Sequence, residues 1–482
     1  MLKLLFTHSY FYRFDPKQWA NKTPYPPLGT IWAASYMRHH GHQVSLFDTN
    51  LKPDVSQLKK VLETEQPNVL VIYDDGFNYL TKMCLTNMRH AAFDMIAQAK
   101  ALDIKVLVSS SDSTDHYDQY LDAGADAVML GEAEDTLLDC VEHIEGGKAL
   151  NTIVGLAYRD SGSTQINARR PVIRELDKIP LPAWDLVDIP SYKAVWDSGK
   201  YPFALNIATT RGCPFKCNWC AKPIYGNRYN SRSPEKVVEE IQMLVDNFDT
   251  RTFWMCDDIF GLKPGWVKKF NELLRARNLK IKYKIQSRAD LLLEENNIQD
   301  LADSGLYEVW VGAESGSQKI LDAMDKGITL EQLQTSTQKL KKLGVRVAFF
   351  LQFGYLGETK EDIDETIKMV KTLKPDDIGI SVSYPLPGTK FYDKVKVELG
   401  HKQNWTDSDE LAMMFKGTFN TSFYKTLQRL VHRMFRKQLA LQYIQNGFKS
   451  SDPLAPRNLM LLPYNTLMEK VLSSKLKGMD NQ

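Results

Sequence analysis

Short apolar runs alternate with segments of helical periodicity over the first 150 residues. The apolar runs predict strands at residues 2–7, 43–48, 68–73, 105–109 and 127–130. Strands that alternate with helices form parallel sheets with helices packed on their faces. We therefore expect residues 1–150 to form an open, parallel, Rossmann-like α/β sheet, which would bind ligands at the carboxyl ends of its strands. The absence of a Gly-x-Gly-x-x-Gly fingerprint argues against a nicotinamide dinucleotide as the ligand.

A second alternating region follows a change of pattern. Residues 151–195 are expected to be a connector, with a hairpin turn at 160–163 and a proline-rich stretch after it. Residues 396–482 are expected to form a small helical region, most clearly over 423–444. Between them, residues 196–395 contain six strand–helix units, which predict an open, partial (β/α)6 barrel with strands at 205–210, 251–257, 282–288, 308–314, 346–354 and 377–384.

Composition narrows the class of protein without indicating a partner. The chain has 43% hydrophobic and 25% charged residues, as ordinary globular proteins do. We expect its 61 basic and 59 acidic residues to be interspersed along the chain, and therefore expect neither nucleic acid nor a membrane as a partner. There is no signal-peptide pattern and no apolar run long enough to cross a bilayer. Six cysteines, three of them in one short run, do not resemble a secreted disulfide framework, so a cytoplasmic location is expected.

The most informative motif is the cysteine triplet that follows the first strand of the second region. Cys213, Cys217 and Cys220 are separated by three and then two residues. Clustered thiolates suit zinc or an iron–sulfur cluster, and no fourth Cys or His follows at zinc-finger distance. Three cysteines on a four-iron cluster leave one iron open to a small molecule. The triplet therefore predicts a 4Fe–4S cluster, with a three-ligand zinc site or a chance triplet as the alternatives.

This spacing, directly after a strand, resembles the cluster motif of the radical S-adenosylmethionine (SAM) enzymes. The resemblance implies that the open iron binds the amino and carboxylate groups of SAM. It further implies that the cluster gives one electron to the sulfonium and releases a 5′-deoxyadenosyl radical, which abstracts hydrogen from a substrate.

The two regions together resemble the cobalamin-binding radical SAM enzymes over nearly the whole chain except the C-terminal region. In the first region the resemblance rests on residues 24–29, Asp48, 123–128 and 131–134. In the second it rests on the cysteine motif and on residues 257–258, 287–290, 312–316, 354–358 and 385–389. Each of these short motifs is weak by itself, and their order along one chain is what makes the resemblance specific.

The resemblance implies ligands for two organic cofactors besides the cluster. The residues that would contact SAM are Trp219, Asp257, Asp258, Arg288, Glu314, Ser315 and Gly354. The residues that would contact cobalamin are Pro27, Asp48, Ser109, Ser110, Gly131 and Glu132. The implied partners are a small-molecule substrate and an electron donor such as flavodoxin or ferredoxin.

Several of these residues also have an ordinary structural explanation. Trp219 fits simple loop packing, and Arg288 and Glu314 fit internal salt bridges. Cys256 and Tyr384 are the candidate catalytic residues. The favoured interpretation of Cys256 is a buried, unreactive thiol. Tyr384 fits an aromatic side chain that fills the core as well as it fits a catalytic residue. Lys326 fits a cation at a helix end.

The first region departs from a common cobalamin motif, Asp-x-His-x-x-Gly, whose histidine binds cobalt from below. His8 ends the first strand, but Phe6 and Phe11 stand where the motif has Asp and Gly. We therefore expect a structural role for His8 and a cobalt without a protein histidine as its lower ligand. Ser109 and Ser110 stand where the family has a Gly-Gly pair, and their small hydroxyl side chains preserve room for the nucleotide tail.

The resemblance implies a cobalamin-dependent radical SAM enzyme, most simply a methyltransferase that acts on an unactivated carbon of a small molecule or natural-product precursor. Its route would run through the 5′-deoxyadenosyl radical and methylcobalamin. One alternative is a cyclase or rearranging enzyme of the same family that gives no net methylation. An alternative of another class is a non-catalytic sensor of cobalamin or of a metal cluster. No motif in the chain identifies the substrate.

Overall fold

The computed structural model describes residues 1–83, 85–399, 411, 413–450 and 452–479. These residues form two compact units. The first contains residues 1–215 and 221–258, and the second contains the described residues of 216–220, 259–399 and 411–479.

The strands of both units follow the predicted runs closely. In the first unit they are β1 (Lys3–Thr7), β2 (Gln43–Phe47), β3 (Val69–Tyr73), β4 (Lys105–Ser109), β5 (Ala127–Met129), β6 (Leu156–Asp160), β7 (Ser163–Ile166), β8 (Leu205–Ile207), β9 (Thr210–Arg211), β10 (Asn230–Ser231) and β11 (Thr252–Met255). In the second unit they are β12 (Lys282–Ser287), β13 (Leu306–Glu314), β14 (Arg346–Phe353) and β15 (Asp377–Val382).

Helices connect these strands in both units. The first unit contains α1 (Pro16–Asn21), α2 (Leu28–His39), α3 (Leu58–Glu65), α4 (Tyr79–Lys82), α5 (Thr86–Lys100), α6 (Ser111–Asp115), α7 (Tyr117–Asp122), α8 (Glu134–Ile144), α9 (Ile189–Asp197) and α10 (Pro234–Phe248). The second contains α11 (Trp266–Ala276), α12 (Ala289–Leu292), α13 (Asn297–Asp303), α14 (Gln318–Ala323), α15 (Leu330–Lys342), α16 (Lys360–Leu373), α17 (Lys390–Val395), α18 (Thr421–Gln445), α19 (Ala455–Met460) and α20 (Leu462–Gly478).

The first unit is built on a seven-stranded sheet of order β2-β1-β3-β4-β5-β6-β7. Strands β1 to β5 pair in parallel, which confirms the predicted open α/β sheet. Alternate residues of β3 belong to two different apolar clusters, Leu70 and Ile72 to one and Val69 and Val71 to the other. Because successive strand residues point to opposite faces, the sheet is covered by apolar packing on both sides.

The hairpin β6–β7 lies inside the segment that was expected to be only a connector. It pairs antiparallel with β5 and extends the sheet past residue 150. Its turn is the one predicted at 160–163, with Ser161 at φ 49° and Gly162 at φ 83°. Positive φ at both central residues is what tight hairpin turns require. The domain boundaries proposed from the sequence remain a prediction.

All six strands predicted for the second region are present. Strands β8 and β11 pair in parallel in the first unit. In the second unit β12, β13, β14 and β15 pair in parallel in that order, with helices between them, as expected for a partial barrel. The register of β13 against β14 shifts between Gly312 and Glu314, and Glu314 is one of the candidate SAM residues described below.

Helices α18, α19 and α20 form the C-terminal region, and α18 covers the predicted helix at 423–444. Within the part of the chain that the structure describes, no helix combines the length and the apolarity that crossing a bilayer requires.

Candidate cofactor site

Asn218 holds the loop between Cys217 and Cys220 in the second unit through both its backbone and its side chain. Its backbone N–H donates to Met324 O at 3.0 Å, and its carbonyl oxygen accepts from the N–H of Phe391 at 2.9 Å. Its side-chain Nδ2 donates to Ala323 O at 2.7 Å, while Oδ1 accepts from the Tyr355 hydroxyl at 2.6 Å. These bonds fix the loop to α14, to the turn after β14 and to α17. No sequence motif indicated this role, because each of the partners is distant along the chain.

Cationic side chains surround Cys217. Arg288 Nη1 lies 3.8 Å from the Cys217 sulfur, and two bonds of 3.0 and 2.9 Å to Asp290 hold the guanidinium in place. Burial by itself would lower the pKa of Lys326, but the charges of Glu314 and Cys217 hold that pKa above its usual range. Positive neighbours stabilise a thiolate, which is the form that binds metal. The surroundings of Cys217 therefore fit a cluster ligand.

The three cysteines are half-buried. Cys213 belongs to the first unit, and Cys217 and Cys220 belong to the second. Across the described residues, no three Cys, His, Asp or Glu side chains are arranged so that they could hold one ion. The assignment of the triplet to a cluster therefore rests on its spacing and on the charge around Cys217, and it remains a prediction.

Glu314 and Lys326 form a buried ion pair at the end of β13. Lys326 Nζ lies 2.7 Å from Glu314 Oε1, so the internal salt bridge considered from the sequence is present. Glu314 adopts φ 55°, in the left-handed region, where the register of β13 shifts. A Cβ atom at Gly312 would lie 2.6 Å from Lys326 Nζ and 2.7 Å from Glu314 Oε1. Gly312 is therefore required for this ion pair, which makes Lys326 more than a cation at a helix end.

Seven buried polar side-chain atoms of the second unit have no hydrogen-bond partner within the described structure. Three of the seven are Trp219 Nε1, Ser287 Oγ and Gln352 Oε1. Ser287 ends β12 and Gln352 lies near the end of β14, at the carboxyl edge where such folds bind ligands. Buried polar atoms are rarely left unpaired, so these three fit a polar ligand such as SAM. Of these three residues, only Trp219 was a SAM candidate from the sequence; Ser287 lay in a family-like motif without an assigned role, and Gln352 lay in none.

The remaining SAM candidates of the second unit have local structural roles. The Ser315 hydroxyl lies 3.1 Å from that of Thr366 and accepts from the Ser317 N–H at 3.1 Å. The Gly354 N–H donates to Glu358 Oε2 at 2.7 Å, and Gly354 adopts φ 76°. Trp219 packs beside the apolar cluster that contains Tyr355 and Phe391. These contacts account for the fold of the site, while contact with SAM remains a prediction.

Glu358 gives this region a pH dependence. Burial raises the pKa of Glu358 to about 8. The unfolded state loses this proton above about pH 4.5 and the folded state keeps it until about pH 8, so stability falls as pH rises through this window. We expect Glu358→Gln, which stays neutral, to lose this dependence. The unfolding free energy of the wild type relative to Glu358→Gln should fall by on the order of 4 kcal/mol between pH 5 and pH 9, measured by denaturant titration.

The adjacent carboxylates Asp257 and Asp258 have different environments in the first unit. Asp257 Oδ1 accepts from the N–H groups of Thr209 and Thr210 at 2.7 and 2.6 Å, and Oδ2 accepts from the Thr209 hydroxyl at 2.8 Å. Burial raises the pKa of Asp257 to about 6 despite these bonds. Asp258 pairs with Lys82. Asp257 therefore anchors the segment that leads into the cysteine loop, and its role with SAM remains a prediction.

The two candidate catalytic residues are both buried. The Cys256 thiol donates to Ile207 O at 3.3 Å, and burial raises its pKa well above the usual range. A protonated thiol bonded to a strand carbonyl supports the inert interpretation. Tyr384 follows β15 and is also buried. A catalytic role for either residue remains a prediction.

His8 and Asp48 meet at the carboxyl ends of β1 and β2. His8 Nε2 lies 3.0 Å from Asp48 Oδ1, and His8 Nδ1 lies 3.1 Å from the Thr49 hydroxyl. The Tyr192 hydroxyl donates to Asp48 Oδ2 at 2.7 Å. Burial pushes the pKa of Asp48 upward, but the bonds from His8 and Tyr192 hold it below its usual value. Both nitrogens of the buried His8 ring thus have partners in the protein, as its expected structural role requires.

The other cobalamin candidates line the same edge of the sheet. Pro27 precedes α2 directly, and Gly131 adopts φ 83°. The Ser109 carbonyl accepts from the Asp74 N–H at 2.9 Å, and the Ser110 hydroxyl caps α6 through the Ser113 N–H at 2.8 Å. The buried hydroxyl of the next residue, Ser111, has no partner within the described residues. Ser111 is therefore the serine of this run that best fits a bound nucleotide tail.

Glu132 lies in a buried charge cluster with Arg211, two residues before the first cysteine. Arg211 Nη1 lies 2.5 Å from Glu132 Oε1, and Nη2 lies 2.7 Å from Glu134 Oε1. The guanidinium carbon lies 4.7 Å from the centre of the Trp32 ring. Burial raises the pKa of Glu132 against the opposing effect of Arg211. Arg211 thus ties the strand before the cysteine loop to the loop after β5.

Gly212 completes this connection. It adopts φ 78°, and a Cβ atom there would lie 2.4 Å from Arg228 O. Any other residue would push the backbone away at this point.

Comparisons with known proteins show which sequences and folds this chain resembles. Residues 207–370 match the model of the Radical SAM superfamily. The chain is 29% identical over 375 residues to an uncharacterized methyltransferase of Pyrococcus horikoshii, covering 76% of this chain and 78% of that protein. It is 27% identical over 421 residues to the anaerobic magnesium-protoporphyrin IX monomethyl ester cyclase of Rubrivivax gelatinosus, covering 84% of this chain and 72% of the cyclase.

A solved structure shares the fold over almost the full length. The cobalamin-dependent S-adenosylmethionine radical enzyme OxsB, with aqua-cobalamin and S-adenosylmethionine bound, matches with a TM-score of 0.74 and 19% identity. The match covers 98% of this chain and 72% of OxsB. The resemblance to cobalamin-binding radical SAM enzymes that the sequence indicated is confirmed.

Proposed function

We propose, starting from the radical SAM domain at residues 207–370, that this chain is a cobalamin-dependent radical SAM enzyme that methylates an unactivated carbon of a small molecule. The observation that carries the proposal is the cysteine loop of that domain, which Asn218 anchors and in which Arg288 lies 3.8 Å from the sulfur of Cys217. An anchored loop of thiolates with cationic neighbours suits a redox cluster. The methyltransferase relative favours methyl transfer as the outcome.

The chain offers ligands for each of the three cofactors. Cys213, Cys217 and Cys220 would hold the 4Fe–4S cluster. The unpartnered atoms of Trp219, Ser287 and Gln352 would face SAM, and the Ser111 hydroxyl would face the nucleotide tail of cobalamin. When bound, the cluster supplies one electron to SAM and the cobalamin carries a methyl group. Electrons would come from a small redox protein such as flavodoxin or ferredoxin.

A second candidate function is ring formation or rearrangement without net methylation. The cyclase relative, which matches 84% of this chain, favours it. Incubation of the reconstituted enzyme with methyl-labelled SAM and a candidate substrate separates the two functions. Label in the product supports methyl transfer, whereas an unlabelled product formed with consumption of SAM contradicts it.

The cobalt should have no histidine of the protein as its lower ligand. His8 Nε2 and Nδ1 already have Asp48 and Thr49 as partners, and freeing either nitrogen would leave a buried polar atom unpaired. We expect the electron paramagnetic resonance spectrum of the bound Co(II) form to be identical in protein made with natural and with ¹⁵N-labelled histidine. We expect the same spectrum in His8→Gln. A nitrogen splitting that changes with the label and disappears in His8→Gln would show that His8 binds cobalt.

A further inference from the structure

Basic residues are concentrated in the C-terminal helices. Residues 421–479 contain ten Lys and Arg but only two Asp and Glu. The whole chain contains 61 basic and 59 acidic residues, so the remainder has an acidic excess. The expectation of interspersed charge is therefore wrong for this region. A locally basic surface attracts anionic partners even when the net charge of the protein is close to zero.

The same region exposes an apolar stripe. Tyr464, Leu467 and Val471 advance by three and four residues, so they lie on one side of α20. They are 45%, 60% and 49% exposed, and Met460 in α19 is 82% exposed. Among the described residues, twelve large hydrophobic side chains are exposed, and seven of these lie between residues 441 and 471. Such concentration marks an interaction surface, whereas single exposed hydrophobic residues do not.

Helices α18 and α20 run side by side in the same direction. Arg433 Nη1 lies 3.1 Å from Asn465 Oδ1, and Lys437 Nζ lies 2.9 Å from Glu469 Oε2. The two pairs advance by four residues on each helix, which requires parallel axes. If this spacing continues, Leu441 near the end of α18 lies at nearly the same height along the helix axes as Val471 on α20.

Arginines adjoin the apolar stripe. The guanidinium carbon of Arg433 lies 4.7 Å from the centre of the Tyr464 ring. Burial and the neighbouring charges of Arg433 and Arg457 lower the pKa of Arg436, with Asp377 as the opposing charge. Guanidinium groups bind phosphate oxygens through paired N–H donors. Cations beside an apolar stripe on a helix are the pattern of interfacial helices.

We propose that the exposed face of α18, α19 and α20 binds the surface of an anionic lipid bilayer, with Tyr464, Leu467 and Val471 entering the headgroup region and the arginines contacting lipid phosphates. A second copy of this surface would be repelled, because both copies carry the same charge. Nucleic acid would use the cations but not the aliphatic side chains of Leu467 and Val471. The proposal replaces the expectation of no membrane partner and is independent of the proposed chemistry.

Flotation of the full-length protein with vesicles tests the proposal. We expect it to float with phosphatidylcholine vesicles that contain about one quarter phosphatidylglycerol, and not with phosphatidylcholine alone. High salt should weaken binding because it screens the cations. Equal binding to both vesicle types, or binding to neither, would overturn the proposal. So would capture of the protein by RNA or by an acidic protein in place of the anionic vesicles.

Variants with matched controls locate the contact. We expect Leu467→Ser with Val471→Ser to lower the partition coefficient by about tenfold or more. Lys470 and Lys475 are exposed cations of α20 that follow Leu467 and Val471 by three and four residues, and Lys470→Glu with Lys475→Glu should lower the coefficient by a similar factor. The controls are Val397→Ser for the apolar pair and Lys339→Glu with Lys342→Glu for the charged pair, all exposed and outside these helices. Equal losses in the controls and the tail variants would overturn the proposal, and the circular dichroism spectrum of each variant verifies its folding.

Discussion

Cys217→Ala is expected to abolish both the iron–sulfur cluster and the reductive cleavage of SAM. Arg288 Nη1 lies 3.8 Å from the sulfur of Cys217, and the charge of Cys217 raises the pKa of Lys326, so the surroundings of Cys217 fit the proposed cluster ligand. A cubane held by three thiolates loses a structural ligand in this variant, and alanine offers no replacement. After anaerobic reconstitution, we expect no cluster absorption and no 5′-deoxyadenosine above the rate without protein.

Cys140→Ala and Cys256→Ala are the matched controls for this experiment. Both residues are free, buried cysteines of the first unit, and burial raises the pKa of both thiols. Protonated thiols do not bind iron, so both variants should retain the full cluster. A Cys217→Ala variant that still carried four irons and cleaved SAM would contradict the assignment. Loss of activity in Cys256→Ala with an intact cluster would instead make Cys256 a catalytic residue.

Arg211→Met is expected to have the largest effect on stability. Arg211 is buried between Glu132 and Glu134, at 2.5 and 2.7 Å. Removing the guanidinium leaves two buried carboxylates without their cation, which costs about 3–5 kcal/mol in comparable buried pairs. We expect a correspondingly lower denaturant midpoint for Arg211→Met. The cluster content should fall as well, because Arg211 ties down the strand that precedes Cys213.

A surface pair of the same chemistry provides the control. Arg38 contacts both carboxylate oxygens of Asp185, at 2.8 and 2.9 Å, but this pair is exposed. Exposed pairs contribute about 0–1 kcal/mol, so Arg38→Met should change the midpoint little. Adding Glu132→Gln and Glu134→Gln to Arg211→Met should recover part of the loss, since the unpaired charges are then removed. Equal destabilisation by Arg211→Met and Arg38→Met would contradict this account of the charge cluster.

The strands were predictable because their signal is local. Runs such as residues 69–73 are apolar throughout, and burial on both faces of a parallel sheet requires that pattern. The hairpin β6–β7 was recognised by its turn but not as part of the sheet, because its pairing with β5 joins residues distant along the chain. The irregular register of β13 was not predictable either, since it belongs to the pairing of β13 with β14, whose residues are distant along the chain.

The candidate site was predictable where a residue type decides the chemistry. The cysteine spacing predicted a cluster, and the departures around His8 predicted its structural role, which its bonds to Asp48 and Thr49 support. The roles of the carboxylates were harder to predict. A carboxylate at a strand end can bind a ligand or accept hydrogen bonds from the protein itself, and the sequence pattern is the same in both cases. Asp257 accepts three bonds from Thr209 and Thr210, a role that only the folded chain displays.

The most direct test of the central claim measures both products of SAM in one experiment. Anaerobically reconstituted protein is incubated with SAM, a strong reductant and cobalamin, and the control lacks cobalamin. Methyl donation leaves S-adenosylhomocysteine, and reductive cleavage leaves 5′-deoxyadenosine with methionine. A cobalamin-dependent radical SAM methyltransferase is predicted to form both, with S-adenosylhomocysteine only when cobalamin is present. A protein that binds the cluster and cobalamin yet forms neither product would contradict the claim and support a non-catalytic sensor.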